Sequence, residues 1–220
     1  MPPVILCPRL AVLASGGGTT LQNLLDRVAA GTLTAEIVGV VASRPDAFAL
    51  HRARRAGVPA QVIEPTPRAD FSERVFAAVR LLSVDYVLLA GWLQLLAVPD
   101  DFRLRVLNIH PSLLPAFGGK GMYGRRVHEA VLAAGVKVSG CTVHFVDDTY
   151  DTGPIVEQRA VTIAECATPD EVAAAVSAAE CEAYPAAIAR IAAGRWRLAG
   201  RRVVPSPGGA LRGPPGEPPA

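Results

Sequence analysis

The chain has 220 residues but only four cysteines, Cys7, Cys141, Cys166 and Cys181. They form neither a C-x-x-C pair nor a zinc-ligand spacing. A disulfide framework and a structural zinc site are therefore not expected, and free thiols in a reducing cytosol are. No apolar run approaches the ~20 residues that a membrane span needs. Met1-Pro2-Pro3 puts no charged region ahead of the short apolar Val4-Ile5-Leu6, so no secretory signal is read. Neither charge dominates either. With 22 basic and 20 acidic residues the net charge is +2, which is far from the basic stripe of a nucleic-acid binder. The clusters Arg52-Ala53-Arg54-Arg55 and Arg125-Arg126 are local and read as solvated helix faces. What remains is a cytoplasmic protein acting on small molecules, without a nucleic-acid or membrane partner. Its length fits one large domain, able to bury about 70% of its unfolded surface without a metal or disulfide staple.

Half of the residues are hydrophobic, and they fall into short apolar runs alternating with helix-like segments. Strands are read at Leu10–Ala14, Glu36–Val41, Ala60–Ile63 and Tyr86–Ala90. Helices are read from Thr20, over Ala47–Ala56 and over Ala69–Leu82. This alternation predicts a Rossmann-like α/β fold, a mostly parallel sheet with helices on both faces. After a further strand ending near Leu107 the pattern changes. A glycine-rich segment, Gly118-Gly119-Lys120-Gly121, leads into a helix over Tyr123–Ala134. Two strands, Val136–Phe145 and Ile155–Thr162, lie close enough in sequence to form an antiparallel extension. A long helix follows over Pro169–Ala193, with Thr168 as its N-cap and Pro169 in its first turn. Residues 1–204 are read as one domain, and 205–220 as a Pro/Gly-rich disordered tail by composition.

The segment Asn108-Ile109-His110-Pro111-Ser112-Leu113-Leu114-Pro115 carries the clearest chemistry. In an extended chain residues i and i+2 point the same way, so Asn108 and His110 would present polar heads to one point. They stand just past a buried strand, where open α/β sheets place ligands. The loop Asp147-Asp148-Thr149-Tyr150-Asp151-Thr152-Gly153-Pro154 can add a carboxylate. An amide, an imidazole and a carboxylate together can polarise a carbonyl and move a proton. A second loop, Ser15-Gly16-Gly17-Gly18-Thr19-Thr20, joins a strand to a helix. It lacks the lysine of a Walker loop, and Leu21 occupies the place of a dinucleotide fingerprint's third glycine. Neither a nucleoside triphosphate nor NAD is favoured. Spacing alone leaves open a single terminal phosphate at the helix start and a plain strand–helix turn with threonine caps.

With these parts in order, the chain resembles the phosphoribosylglycinamide formyltransferase family of purine biosynthesis. The resemblance runs from about Leu10 to Val204 and rests on Ser15–Leu21, Ala90-Gly91-Trp92-Leu93-Gln94-Leu95-Leu96, Asn108–Pro115 and His144–Pro154. It implies the formyltransferase fold and 10-formyltetrahydrofolate as co-substrate, with no metal. The formyl group would pass to the amino group of glycinamide ribonucleotide. The implied catalytic residues are Asn108, His110 and Asp151. Gly18, Thr19, Thr20 and Glu180 would hold the ribonucleotide. Arg68, Leu93, Gln94, Leu95 and Leu96 would line the folate site, with Asn108 and Asp147, Asp148, Thr149, Tyr150 and Asp151 completing it. The family includes monomers and homodimers.

The reaction so implied is attack of a primary amine on a formamide carbon. Asn108 would donate to the developing oxyanion, and protonated His110 would donate to it and supply a proton. Asp151 is expected to raise the histidine pKa and orient the ring. His144 is read as a packing or hydrogen-bonding strand residue and His51 as a helix-surface residue, while His128 is given no role. Three rivals are set aside on sequence grounds. A formyltetrahydrofolate hydrolase carries a regulatory domain ahead of the catalytic part, and here the first strand begins near Leu10. Methionyl-tRNA formyltransferase adds a C-terminal RNA-binding barrel that a Pro/Gly tail does not supply. A non-catalytic nucleotide-binding module would not need Asn108, His110 and Asp151 together.

Overall fold

The computed structural model describes residues 2–66 and 70–206. Nine strands among them form one sheet in the order β3-β2-β1-β4-β5-β6-β7-β9-β8. The parallel half comprises β1 (Arg9–Ala14), β2 (Glu36–Ala42), β3 (Ala60–Val62), β4 (Tyr86–Leu89) and β5 (Val106–His110). Beside β5 the direction reverses: β6 (Val138–Phe145) pairs antiparallel with β5 and with β7 (Ile155–Thr162). The expected parallel sheet with an antiparallel extension is what forms.

Period-two alternation divides the core between the two faces of the sheet. Leu10, Val12 and Ala14 of β1 join Leu88 of β4 under α1 (Thr19–Ala29), α4 (Arg125–Ala133) and α5 (Pro169–Ala192). Ala11 and Leu13 join Val87 and Leu89 on the opposite face, against Phe71, Val75, Phe76 and Val79 of α3 (Phe71–Arg80). The remaining helix, α2 (Phe48–Arg55), covers the β2 end.

The long helix α5 starts as expected. Thr168 accepts from the Glu171 amide, and the Glu171 carboxylate accepts from the Thr168 amide, a reciprocal capping box. Pro185 sits inside this helix and has no N–H to offer the carbonyl four residues back. That carbonyl, on Cys181, instead accepts from Asn23 Nδ2 of α1 at 3.0 Å. One residue earlier, the fully buried Tyr184 hydroxyl lies 2.9 Å from the Leu107 carbonyl and 3.1 Å from the Leu89 carbonyl. It thus ties the ends of β4 and β5 to the helix.

Two strands were not read from the sequence: β8 (Trp196–Ala199) and β9 (Arg202–Pro205) form a terminal hairpin. Each is only four residues long, so its apolar alternation is too short to register as a period. Trp196 is buried and its ring lies 5.2 Å from that of Phe145. Pro205 ends β9 and Ser206 is buried, so the fold runs past the Val204 boundary. Residues 207–220, the remainder of the expected tail, lie outside the described residues, as does Arg68.

Candidate active site

Asn108 and His110 do not stand past the strand, as the sequence suggested. They are its last residues on one side, within β5. Antiparallel pairing sets His144 of β6 directly opposite Asn108. The loop after β6 then returns Asp151 to the same place. Its neck is tight: the Phe145 amide donates to the Pro154 carbonyl at 2.9 Å, and a Cβ on Gly153 would stand 1.7 Å from the Phe145 carbonyl oxygen. Within the loop, Asp147 Oδ1 accepts from the Thr149 amide at 3.2 Å and the Thr152 hydroxyl at 2.7 Å. Asp151 itself holds a left-handed backbone, φ 57°, which aspartate tolerates better than most residues.

Four groups converge on the Asp151 carboxylate. Asn108 Nδ2 donates to Oδ1 at 3.4 Å and the Gly119 amide donates to Oδ2 at 2.8 Å. His110 Nδ1 lies 3.5 Å from Oδ2, and His144 Nε2 lies 3.6 Å from Oδ1. Asn108 Nδ2 also lies 3.1 Å from His144 Nε2. The far nitrogen of His110, Nε2, donates to the Phe117 carbonyl at 2.9 Å, and His144 Nδ1 donates to the Phe145 carbonyl at 2.8 Å. His144, read from the sequence as a packing or hydrogen-bonding strand residue, does hydrogen-bond, and it does so within the cluster.

Burial pushes the Asp151 carboxyl upward. The His144 ring, the His110 ring and the Gly119 amide outweigh it and hold the group below the usual carboxylate value. His110 moves the other way from expectation. Burial depresses its pKa below 6.5, and the Asp151 carboxylate and Phe117 carbonyl only partly restore it. The ring is 4% exposed, so the cost of placing a cation there exceeds the attraction of one neighbouring anion. The resting pair at neutral pH is a neutral imidazole beside a carboxylate.

The strand's exit is fixed as well. Thr142 Oγ1 donates to the Ser112 carbonyl at 2.7 Å and accepts from the Leu114 amide at 3.0 Å. Gln158 Nε2 donates to the Leu114 carbonyl at 2.9 Å. These bonds hold the Pro111–Pro115 segment under the cavity's edge.

The cluster opens into a cavity of about 680 Å³. Its wall includes Thr19, Thr20, Leu93, Gln94, Leu95, Leu96, Asn108, His110, Asp147, Thr149, Tyr150, Asp151 and Glu180. Among the described residues, those expected to hold the ribonucleotide and those expected to hold the folate thus share one space, with two exceptions. Asp148 is exposed and outside the wall, its side of the loop facing away. Gly18 is buried behind it, where a Cβ would come within 2.8 Å of Ala49. Gly18 is the N-cap of α1 with φ 69° and supplies no side chain to cap the helix. The first amides of α1 therefore have no side-chain acceptor at the N-cap, and Thr19 and Thr20 flank them from the first turn. This differs from a threonine-capped turn and favours an anion there.

Several wall residues went unassigned in the sequence: Lys120, Tyr123, Arg126 and His128. They belong to the glycine-rich segment after β5 and the start of α4, where no periodic pattern signals orientation. Glu180, half-buried on α5, is pushed up from 4.5 to about 7 by burial. Leu93 and Leu95 are exposed apolar side chains within the wall, suited to a flat ring system.

The sequence profile of the formyl transferase family matches residues 8–188. The chain is 41% identical over 198 residues to the chloroplastic phosphoribosylglycinamide formyltransferase of Arabidopsis thaliana, covering 86% of this chain and 68% of that one. It is 39% identical over 191 residues to the trifunctional purine biosynthetic protein adenosine-3 of Gallus gallus, covering 84% of this chain and 18% of that protein. Among solved structures, glycinamide ribonucleotide transformylase 1 from Symbiobacterium toebii superposes with a TM-score of 0.84 at 41% identity, covering 91% of this chain and 94% of that one. Phosphoribosylglycinamide formyltransferase from Anaplasma phagocytophilum superposes with a TM-score of 0.81 at 32% identity, covering 93% and 97%.

Proposed function

The chain belongs to the formyl transferase family, among its phosphoribosylglycinamide formyltransferases, and from that premise we propose the reaction and the residues that perform it. The protein transfers the formyl group of 10-formyltetrahydrofolate to the amino group of N1-(5-phospho-D-ribosyl)glycinamide, a step of de novo purine synthesis. The observation that carries this reading is the convergence of Asn108, His110 and His144 on the Asp151 carboxylate in the wall of the cavity that Thr19, Thr20 and Glu180 also line.

The ribonucleotide phosphate sits at the N-terminus of α1, against the Thr19 and Thr20 hydroxyls, while Glu180 accepts from the sugar hydroxyls. The folate ring lies along Leu93, Gln94, Leu95 and Leu96 and under the Asp147–Asp151 loop. The amine lone pair attacks the formyl carbon, and the carbonyl electron pair moves to oxygen. The Asn108–Asp151 contact is long at 3.4 Å, so this N–H is readily exchanged for the oxyanion. One such donor contributes on the order of 3–4 kcal/mol. The negative charge then offsets the cost that keeps His110 neutral at rest, and the imidazole becomes the proton carrier as the intermediate forms. A water held by Asp151 passes the amine proton to His110, the imidazolium hands it to the departing folate nitrogen, and the C–N bond to that nitrogen breaks as the oxyanion's electron pair re-forms the carbonyl. The enzyme forms no covalent bond in this sequence.

The test is an absorbance assay with 10-formyltetrahydrofolate or 10-formyl-5,8-dideazafolate, with and without glycinamide ribonucleotide. Formyl loss only when the ribonucleotide is present is the expected result. Equal loss without it would make the protein a hydrolase, and no loss in either arm would overturn the reading.

A further inference from the structure

His128 lies in the first half of α4 and lines the same cavity as the catalytic cluster. It is only 6% exposed, yet its Nδ1 has no hydrogen-bond partner among the described residues. Buried polar atoms are nearly always satisfied, so one left without a partner in a residue that lines a cavity calls for an explanation. The neighbouring wall supplies a reason to look toward one substrate. Helix α4 packs against α5, the helix that carries Glu180 into the cavity. Val127 and Val131, on either side of His128 along α4, are fully buried in the core, so the ring is held on a rigid element and not on a loop.

We propose that His128 is a ribonucleotide-binding residue, its buried ring nitrogen hydrogen-bonding an uncharged polar group of that substrate, a sugar hydroxyl or the glycinamide amide. Burial, and next the nearby His110, pull its pKa below 6.5. With the phosphate held at the start of α1, the uncharged part of the substrate is what remains for this ring, and Glu180 shares the sugar. This inference rests on the functional reading above and adds a residue to it.

The experiment is isothermal titration of the intact protein with glycinamide ribonucleotide and, separately, with 10-formyl-5,8-dideazafolate. His128→Leu is expected to weaken ribonucleotide binding tenfold or more, while folate-analogue binding stays within twofold of wild type. His128→Asn places an amide atom where Nδ1 stands, and is expected to recover most of the affinity. Ribonucleotide affinity of the leucine variant within twofold of wild type would overturn the proposal, as would equal loss of both ligands. If the leucine variant does not fold, asparagine and glutamine carry the test. Only asparagine should bind near wild-type affinity, and equal binding by the two would overturn the assignment. A wild-type protein that binds the folate analogue but not the ribonucleotide would instead overturn the functional reading beneath it.

Discussion

Replacing Glu180 by glutamine should stabilise the protein, and only above a definite pH. Burial moves the Glu180 titration from 4.5 to about 7, with no compensating cation in its surroundings. The folded state therefore holds this proton more tightly than the unfolded chain does. Its contribution to stability is complete below pH 4.5 and is lost as the pH rises through about 7. At ~1.4 kcal/mol for each pH unit, the upper bound on the cost of ionising it in the fold is about 3 kcal/mol. The side chain is only half-buried, so water lowers that figure, and about 1–3 kcal/mol is the working range. Glu180→Gln removes the ionisation and keeps the shape. For a domain of this size each kcal/mol moves Tm by about 2–4 °C. Scanning calorimetry on both proteins should thus give equal Tm values near pH 4.5. A gap should open with rising pH and level off at about 2–10 °C above pH 8. A gap independent of pH, or a variant less stable than wild type at pH 8.5, would refute the burial argument. The same variant should bind the ribonucleotide more weakly, because an amide accepts fewer hydrogen bonds than a carboxylate.

Asn108→Ala should lower kcat by about 10²–10³ if its N–H meets the oxyanion, with the ribonucleotide Kd unchanged; steady-state kinetics and titration calorimetry separate the two. The His110 ring should titrate below pH 6.5 by NMR, and in Asp151→Asn it should titrate lower still, since the lost carboxylate raises it; a wild-type ring titrating above 6.5 would mean that burial is not the dominant cause, and an upward move in the variant that the carboxylate does not raise it. Because a depressed histidine pKa favours the fold above 6.5 and opposes it as the pH falls, acidification below 6.5 should destabilise wild type more than His110→Asn. Gly153→Ala must displace the neck of the Asp151 loop, where the added Cβ meets the Phe145 carbonyl at 1.7 Å; activity should fall at least 100-fold while circular dichroism keeps the wild-type helix signal.

The parallel sheet was legible because most of its strands are short apolar runs punctuated by helical periods, whereas the order of its strands came only from the structure. Asn108 and His110 were legible because a two-residue spacing has one meaning in a strand. Other parts needed contacts that spacing does not encode. Gly119, 32 residues from Asp151, donates to its carboxylate, and the aperiodic 118–124 segment lines the wall beside it. Lys120 and Tyr123 arrive with it and Arg126 follows in the first turn of α4, and neither charge nor spacing could have placed them. Asp151 raises the His110 pKa as expected, but the net shift is downward for a related reason. The Asp151 neighbour is visible in a motif, but the degree of burial that opposes it emerges only from packing. Gly18 carries a duty that its motif does not encode: its left-handed backbone and its approach to Ala49 leave no room for a side chain.

The reversal of strand direction beside β5 is what makes a site out of these parts. Had β6 run parallel to β5, its crossover would have carried it back to the opposite end of the sheet, and its own C-terminal end would have opened beside that of β5. Running antiparallel, it enters opposite His110 at Thr142 and leaves past Leu107 at Phe145. That register fixes His144 across from Asn108, and a shift of one residue would turn both side chains to opposite faces. It also starts the 146–154 loop low on the sheet, so that the loop must climb to bring Asp151 over the strand end. The left-handed backbone at Asp151 and the Cβ-free neck at Gly153 are the two local conditions for that climb. A substitution at either position should therefore impair catalysis through the placement of the carboxylate, even where its chemistry is kept.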